Sequence, residues 1–221
     1  MQRVVIIVLC TFSPAAALAQ PAYVGASLVG DIGRFTSVEI DPATLSGELT
    51  GGGETLGFGL VVGTALGDRW GVELEFVRPG VVDRSARQRI GPLPANAPVI
   101  FPIPIIEYEV RFVERHTTLT TAAWFRQSIG DRADLCYLGG IAFVRTSQER
   151  GIFFEPRLAV LPIPSTQTIT EHTVGPMVGV EGRIRLTDQL VLVPGVRLLA
   201  IAAAGREGWL IRPGVGLQWR F

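Results

Sequence analysis

The chain has 221 residues, enough for a single domain of ordinary size. Its 20 basic residues, all of them arginine, balance 20 acidic residues, so the composition gives no electrostatic basis for binding nucleic acid. With 48% hydrophobic residues, the chain is too apolar for a disordered sequence rich in glycine and proline. Beyond the N-terminal segment, no apolar run reaches the roughly 18 residues that a membrane-spanning helix needs.

The first nineteen residues have the pattern of a signal peptide. Arg3 precedes an apolar run from Val4 to Phe12, and Ala17-Leu18-Ala19 supplies small residues on either side of a cleavage position before Gln20. The run is too short for a transmembrane anchor. We therefore expect residues 1–19 to be removed and residues 20–221 to form one exported domain. That domain contains a single cysteine, Cys136, so it forms no internal disulfide bond.

The segment from Trp209 to Phe221 shows the clearest pattern in the chain. Its residues alternate with a period of two, which predicts a β-strand. One face is apolar and carries three aromatic residues, whereas the other carries Arg212, Gln218, Arg220 and two glycines. Such a strand suits a barrel whose apolar face meets lipid and whose polar face lines the lumen.

Seven earlier segments have the same alternation, which gives eight predicted strands. They are Tyr23 to Phe35, Thr55 to Leu66, Trp70 to Phe76, Glu107 to Gln127, Leu135 to Arg145, Glu171 to Leu186, Gln189 to Ala203, and Trp209 to Phe221.

Short and long connections alternate between these strands. The short ones are Gly67 to Arg69, Gly130 to Asp134 and Thr187-Asp188, whereas about Arg78 to Ile106 and Thr146 to Thr170 are long. The first long connection is rich in proline, which has no backbone N–H to donate to a neighbouring strand. We therefore expect this connection to be irregular and to contain no central strand. Both long connections contain a Pro-x-Pro segment. An even number of strands with short turns on one side predicts an all-β, eight-stranded antiparallel transmembrane up-and-down barrel with two long outer loops or strand extensions.

This pattern resembles the eight-stranded outer-membrane barrels of Gram-negative bacteria, of the OmpA/OmpX or porin-family type. The most specific motif is Gly216, two residues, then Trp219 and Phe221 separated by one residue. The resemblance implies a location in the outer membrane, contact with outer-membrane lipid, and an assembly signal that the barrel-assembly machinery reads at Gly216, Trp219 and Phe221. We expect no cofactor.

Charged residues on the inward faces of the strands are the main candidates for a functional site. An eight-stranded barrel is narrow, and a buried charge without a partner costs several kcal/mol, so we expect these charges to pair across the lumen. In particular, we expect Glu181 to pair with Arg197 or Arg212. The predicted network is Glu73, Glu75, Glu181, Arg183, Arg197 and Arg212, with Asp31, Arg185 and Arg220 also predicted to point inward.

Aromatic residues near the strand ends suggest the two membrane interfaces. Trp70, Trp219 and Phe221 are expected on the short-turn side, and Phe76, Phe143 and Trp209 on the opposite side.

The two histidines do not make a hydrolytic motif. A lipid-modifying barrel enzyme of the deacylase type needs a histidine and a serine as His-x-Ser, and neither His116 nor His172 is followed by that pattern. We expect both to be exposed residues of strand extensions, with no catalytic, metal or cofactor site. The predicted function is a non-enzymatic structural or surface-interaction protein with a plugged lumen. A narrow passive pore, a lipid-modifying enzyme and a soluble periplasmic lipocalin-like binder are the alternatives.

Overall fold

The computed structural model describes residues 22–35, 52–90, 106–154, 166–203 and 206–221. The N-terminal segment and both Pro-x-Pro segments lie outside these residues. The strands are β1 (Ala22–Phe35), β2 (Gly52–Ala65), β3 (Trp70–Pro79), β4 (Val82–Ile90), β5 (Ile106–Ser128), β6 (Ala133–Phe154), β7 (Thr166–Arg185), β8 (Leu190–Ala203) and β9 (Arg206–Arg220).

Eight of these strands close into a barrel. Each pairs in antiparallel fashion with its neighbours in the order β3-β2-β1-β9-β8-β7-β6-β5, and β5 returns to β3 to close the ring. Closure pairs the backbone groups at what would be the sheet edges. The predicted all-β, eight-stranded antiparallel up-and-down barrel is confirmed.

The ninth strand, β4, continues β3 beyond a bulge. β3 pairs with the lower half of β5 up to Val77 opposite Thr118, and β4 resumes on the same strand with Val82 opposite Glu114. Residues 78–81 thus stand against the shorter stretch 115–117. Pro79 lacks an amide hydrogen for the ladder, which explains why the pairing breaks there. The prediction that the chain is irregular from Arg78 is therefore wrong up to Ile90.

The second long connection is also shorter than predicted. β6 continues to Phe154 and β7 begins at Thr166, with Gly151 opposite Thr166, so Thr146 to Thr170 is a strand extension at both ends. The three short turns are at the opposite end of the barrel, as predicted. Each is closed by a backbone hydrogen bond, of which Leu66 N to Trp70 O is 2.8 Å long.

The barrel is polar inside and apolar outside, which is the reverse of a soluble barrel. Buried charged residues project from several strands into the lumen, whereas leucine, valine and aromatic side chains are exposed on the exterior. One cross-strand row on the exterior, which we call the outer apolar row, consists of Leu60, Phe76, Leu119, Phe143 and Val174. Among the described residues, no helix is long and apolar enough to cross a membrane.

Glycines on the inner faces make room for large side chains from the neighbouring strand. A Cβ on Gly63 would lie 2.4 Å from Cζ of Tyr23, and one on Gly71 would lie 2.1 Å from Cζ2 of Trp124. Both aromatic side chains are almost fully buried. The small residues that alternate along β2 thus let Tyr23 extend into the lumen.

We predict that Gly63→Ala lowers the free energy of unfolding by about 1–3 kcal/mol, because the added methyl group collides with the Tyr23 ring. Gly67→Ala is the matched control: a Cβ there meets nothing within 4 Å, and its effect should stay within about 0.5 kcal/mol. Denaturant unfolding of the barrel refolded in lipid vesicles measures both. Equal stability of the two variants would contradict this account of β2.

Candidate functional site in the barrel lumen

Arg197 joins opposite walls of the barrel. It projects from β8, which lies four positions from β3 in either direction around the ring of eight strands. Its Nη1 is 2.7 Å from Oε2 of Glu75, and its Nη2 is 2.7 Å from Oε1 of Glu73, both on β3. Nη2 also contacts Oε1 of Glu181 on β7. One guanidinium group therefore holds three carboxylates together across the full width of the lumen.

Arg183 on β7 forms the second part of this cluster, nearer the short turns. Its Nη2 lies 3.3 Å from Oε2 of Glu73 and 3.7 Å from Oε2 of Glu181. The hydroxyl of Tyr23 donates a 2.8 Å hydrogen bond to Glu73 and accepts one from Arg183 at 3.3 Å. The guanidinium carbon also sits 4.5 Å from the centroid of the Trp124 ring, a distance suited to cation–π attraction.

Arg212 on β9 makes a separate connection. It binds Asp31 on β1 in a bidentate fashion, with Nε–Oδ1 at 2.5 Å and Nη2–Oδ2 at 2.8 Å. Its Nη1 donates a 2.6 Å hydrogen bond to Thr118 Oγ1 on β5, the wall opposite β9. Arg212 is 2% exposed, so this paired fork is removed from water.

A small cavity remains beside these contacts in the described lumen. The cluster around Arg197 contains three carboxylates and two guanidinium groups, and the Asp31–Arg212 pair is balanced. A cavity of about 40 Å³ lies between the network and the wall of β1, β8 and β9. This volume counts only the space open to the centre of a water molecule, and one water needs roughly 10–15 Å³ of it. The cavity therefore has room for about three waters.

The six residues predicted for the network are all buried and all take part in these contacts. Glu181 contacts Arg197, one of its two predicted partners, and Arg212 binds Asp31 instead. Arg185, also predicted to point inward, is exposed at the end of β7, and its Nη2 donates to the backbone carbonyl of Asp131. Its partner therefore lies in the short turn between β5 and β6.

Tyr23, Thr118 and Trp124 join the network although the sequence did not single them out as partners. Tyr23 has the same parity on its strand as Asp31, which is the signal that places its side chain inside. Thr118 and Trp124 likewise alternate with exposed residues of β5. Their partners lie across the lumen, and no local pattern in the sequence encodes those contacts.

His116 differs from the prediction that it is exposed. It is 4% exposed and faces the lumen, with Nδ1 3.0 Å from Thr146 Oγ1 and Nε2 3.6 Å from Glu114 Oε1. His116 is two residues from the lumen-facing Thr118 on β5, so both side chains lie on the same face of the strand. His172 is exposed on β7, as expected. Among the described residues, no group of three or more His, Cys, Asp or Glu side chains is arranged to hold a metal ion.

No protein-family model matches the sequence, and no curated protein matches it either. Solved structures do match the fold. Neisserial surface protein A has a TM-score of 0.52 and 11% identity, over 90% of this chain and 97% of its own. The outer membrane protein OprG from Pseudomonas aeruginosa has a TM-score of 0.52 and 11% identity, over 92% of this chain and 96% of its own. The fold is that of an eight-stranded outer-membrane barrel. At these identities the likeness extends to the fold alone.

The predicted interface aromatics lie on the exterior of this outer-membrane barrel fold. Trp70 is exposed beside a short turn, with its ring centroid 4.8 Å from that of Phe125. Phe76 and Phe143 belong to the outer apolar row, and Trp209 is exposed near the long-loop end of β9. In the terminal motif, Gly216 is buried, whereas Trp219 and Phe221 are exposed.

We predict that Arg197→Met lowers the free energy of unfolding by at least about 3 kcal/mol, because three buried carboxylates lose their shared partner. Glu75→Gln should cost only about 1 kcal/mol, since it removes one contact and leaves two carboxylates facing two guanidinium groups. Arg69→Gln, at an exposed turn position, is the control and should change stability by less than about 0.5 kcal/mol. Denaturant unfolding in lipid vesicles ranks the three. A larger loss for Glu75→Gln than for Arg197→Met would refute the assignment of Arg197 as the central partner.

Proposed function

We propose that this protein is a non-enzymatic barrel of the bacterial outer membrane with a closed lumen, and that it serves as a structural or surface-interaction protein. In this proposal residues 1–19 direct export and are removed. Gly216, Trp219 and Phe221 then direct insertion by the barrel-assembly machinery. The parts of the chain beyond the membrane, where β4 to β7 extend, carry the interaction.

The exterior supports the membrane location. Leu56 and Phe58 on β2, Val174 and Val178 on β7, and Leu217 on β9 are all between 47% and 81% exposed. Exposing so many large apolar side chains to water is unfavourable, and burying them in lipid removes that cost. A lipocalin-like binder needs the opposite arrangement, with an apolar lumen and a polar exterior. The fold, with its closed ring and single side of short turns, agrees with this location.

The observation that carries the closed lumen is the contact of Arg197 with Glu73 and Glu75 on the opposite wall. Arg212 makes a second crossing from β9 to Thr118 on β5. Two crossings between different pairs of walls obstruct the lumen in two directions. Buried charged hydrogen bonds resist displacement, because breaking one leaves an uncompensated charge in a low-dielectric interior.

The environment of His116 supports a non-enzymatic role. Its hydroxyl partner is Thr146, which is 2% exposed, so both groups are buried in the lumen. The cavity beside His116 and Glu114 is about 10 Å³, which is room for about one water and not for an acyl chain. A deacylase needs its nucleophile within reach of a lipid substrate.

We predict that the purified protein produces no conductance above background in a planar lipid bilayer, because the two crossings block the path. The variant Asp31→Ala/Glu73→Ala/Glu75→Ala/Arg197→Ala/Arg212→Ala removes both crossings and leaves Glu181 and Arg183 as a balanced pair, so it should fold and show small, steady conductance steps. Heat-modifiable gel mobility verifies the folded state of both proteins. Conductance of the unaltered protein equal to that of the variant would favour the narrow-pore alternative.

A further inference from the structure

A basic cluster lies on the outside of the barrel next to the apolar surface. Arg145 on β6 and His172 on β7 are direct cross-strand partners, and both are exposed. Two residues closer to the short turns, on the same faces, are Phe143 and Val174, which are also partners and belong to the outer apolar row. An apolar cross-strand pair is thus followed, two residues farther along each strand, by a basic pair.

Arg115 on β5 completes the cluster. It stands opposite Ser147, which is two residues from Arg145 on β6, so Arg115 and Arg145 are diagonal neighbours on one face. We call Arg115, Arg145 and His172 the basic patch. Thr117 and Thr170, on the same outer face of β5 and β7, pair with Arg145 and Ser147 respectively, so hydroxyl groups surround the charges.

The basic patch has unpaired polar groups as far as the described residues go. Among the residues the structure describes, neither Arg145 nor His172 makes a hydrogen bond or an ion pair, and Nε of Arg115 is buried with none. Arginines near the short turns differ, because Arg126 and Arg185 each donate to a backbone carbonyl. Because Arg145 and His172 are exposed and have no partner among the described residues, they can meet an external anion.

The nearest acids do not neutralise Arg145 and His172. Glu149 is two residues beyond Ser147 and so is a diagonal neighbour of Arg115, but it lies four residues from Arg145, which is roughly 14 Å along an extended strand. Glu171 adjoins His172 in the chain, but it pairs with the lumen-facing Thr146. Its side chain therefore lies on the opposite face of the sheet from the patch.

We propose that the basic patch binds the phosphate groups of anionic lipid in the outer leaflet, an inference that rests on the proposed insertion of the barrel in the membrane. Two residues along a strand tilted by about 40° rise roughly 5 Å along the membrane normal. The headgroup layer on each side of the hydrocarbon core is roughly 5–7 Å thick. With Phe143 and Val174 at the edge of the hydrocarbon, Arg145 and His172 lie at the level of the lipid phosphates.

The position of the patch favours lipid over a soluble polyanion. The three side chains lie on the side wall of the barrel, continuous with the apolar surface, and not at the tip of an extension. A lipid bound there places its acyl chains on Phe143 and Val174 while its phosphate meets Arg145. Arginine with neighbouring hydroxyl groups suits phosphate, because its planar fork donates two parallel hydrogen bonds.

The test is a lipid titration of the folded, detergent-solubilised barrel, read by native mass spectrometry. Phosphatidylglycerol is the probe and phosphatidylcholine the neutral comparison. Arg115→Gln/Arg145→Gln/His172→Gln should weaken phosphatidylglycerol binding roughly tenfold, equivalent to losing one strong charged contact. The control Arg69→Gln/Arg132→Gln/Arg185→Gln, at the short-turn end, should keep the affinity of the unaltered protein. If the triple patch variant does not fold, Arg145→Gln alone should weaken binding by roughly threefold.

Three outcomes would overturn the inference. They are unchanged phosphatidylglycerol binding by the patch variant, an equal loss in the control variant, and competition by soluble polyphosphate as strong as that by lipid. Failure of the proposed function gives a different result, because the protein would then not insert into vesicles or show heat-modifiable mobility. Normal insertion without preference for phosphatidylglycerol contradicts the patch alone.

Discussion

The narrow width of an eight-stranded barrel is the constraint on which the interior of this protein depends. At this width side chains from opposite walls meet, so every inward residue is packed against residues that are remote in sequence. Arg197 reaches carboxylates more than a hundred residues away because the lumen is no wider than its side chain and theirs together. A wider barrel would leave the same residues facing water.

The same constraint explains where glycine occurs. Tyr23 and Glu181 fit in the lumen because the neighbouring strands present Gly63 and Gly195 to them; a Cβ on Gly195 would lie 2.7 Å from Cγ of Glu181. The large polar residue and the adjacent glycine form one unit. A tyrosine could not fit beside a residue that has a side chain, and a glycine without the tyrosine would leave a cavity.

Alternation identified the strands wherever one face meets an apolar surface, and it failed where both faces are polar. β4 reads Val-Asp-Arg-Ser-Ala-Arg-Gln-Arg-Ile, in which apolar residues do not alternate regularly with polar ones. Its pairing with β5 therefore could not be predicted from the local sequence pattern. Alternation also assigned Glu73, Arg183 and Arg197 to the lumen. It did not decide between Arg197 and Arg212 as the partner of Glu181, because that choice depends on which strands face each other across the ring.

The arginines in the lumen and those on the outer surface differ in whether a carboxylate pairs with them. Arg183, Arg197 and Arg212 each pair with at least one carboxylate inside the barrel. Arg145 follows the same alternation but falls on the outer face, just beyond Phe143, where the described part of the chain supplies no acid to pair with it. In a chain whose formal charges sum to zero, this exposed basic group is a local separation of charge. The proposed closed lumen and the proposed lipid contact therefore rest on one difference: the lumen arginines have carboxylate partners, whereas Arg145 has none among the described residues.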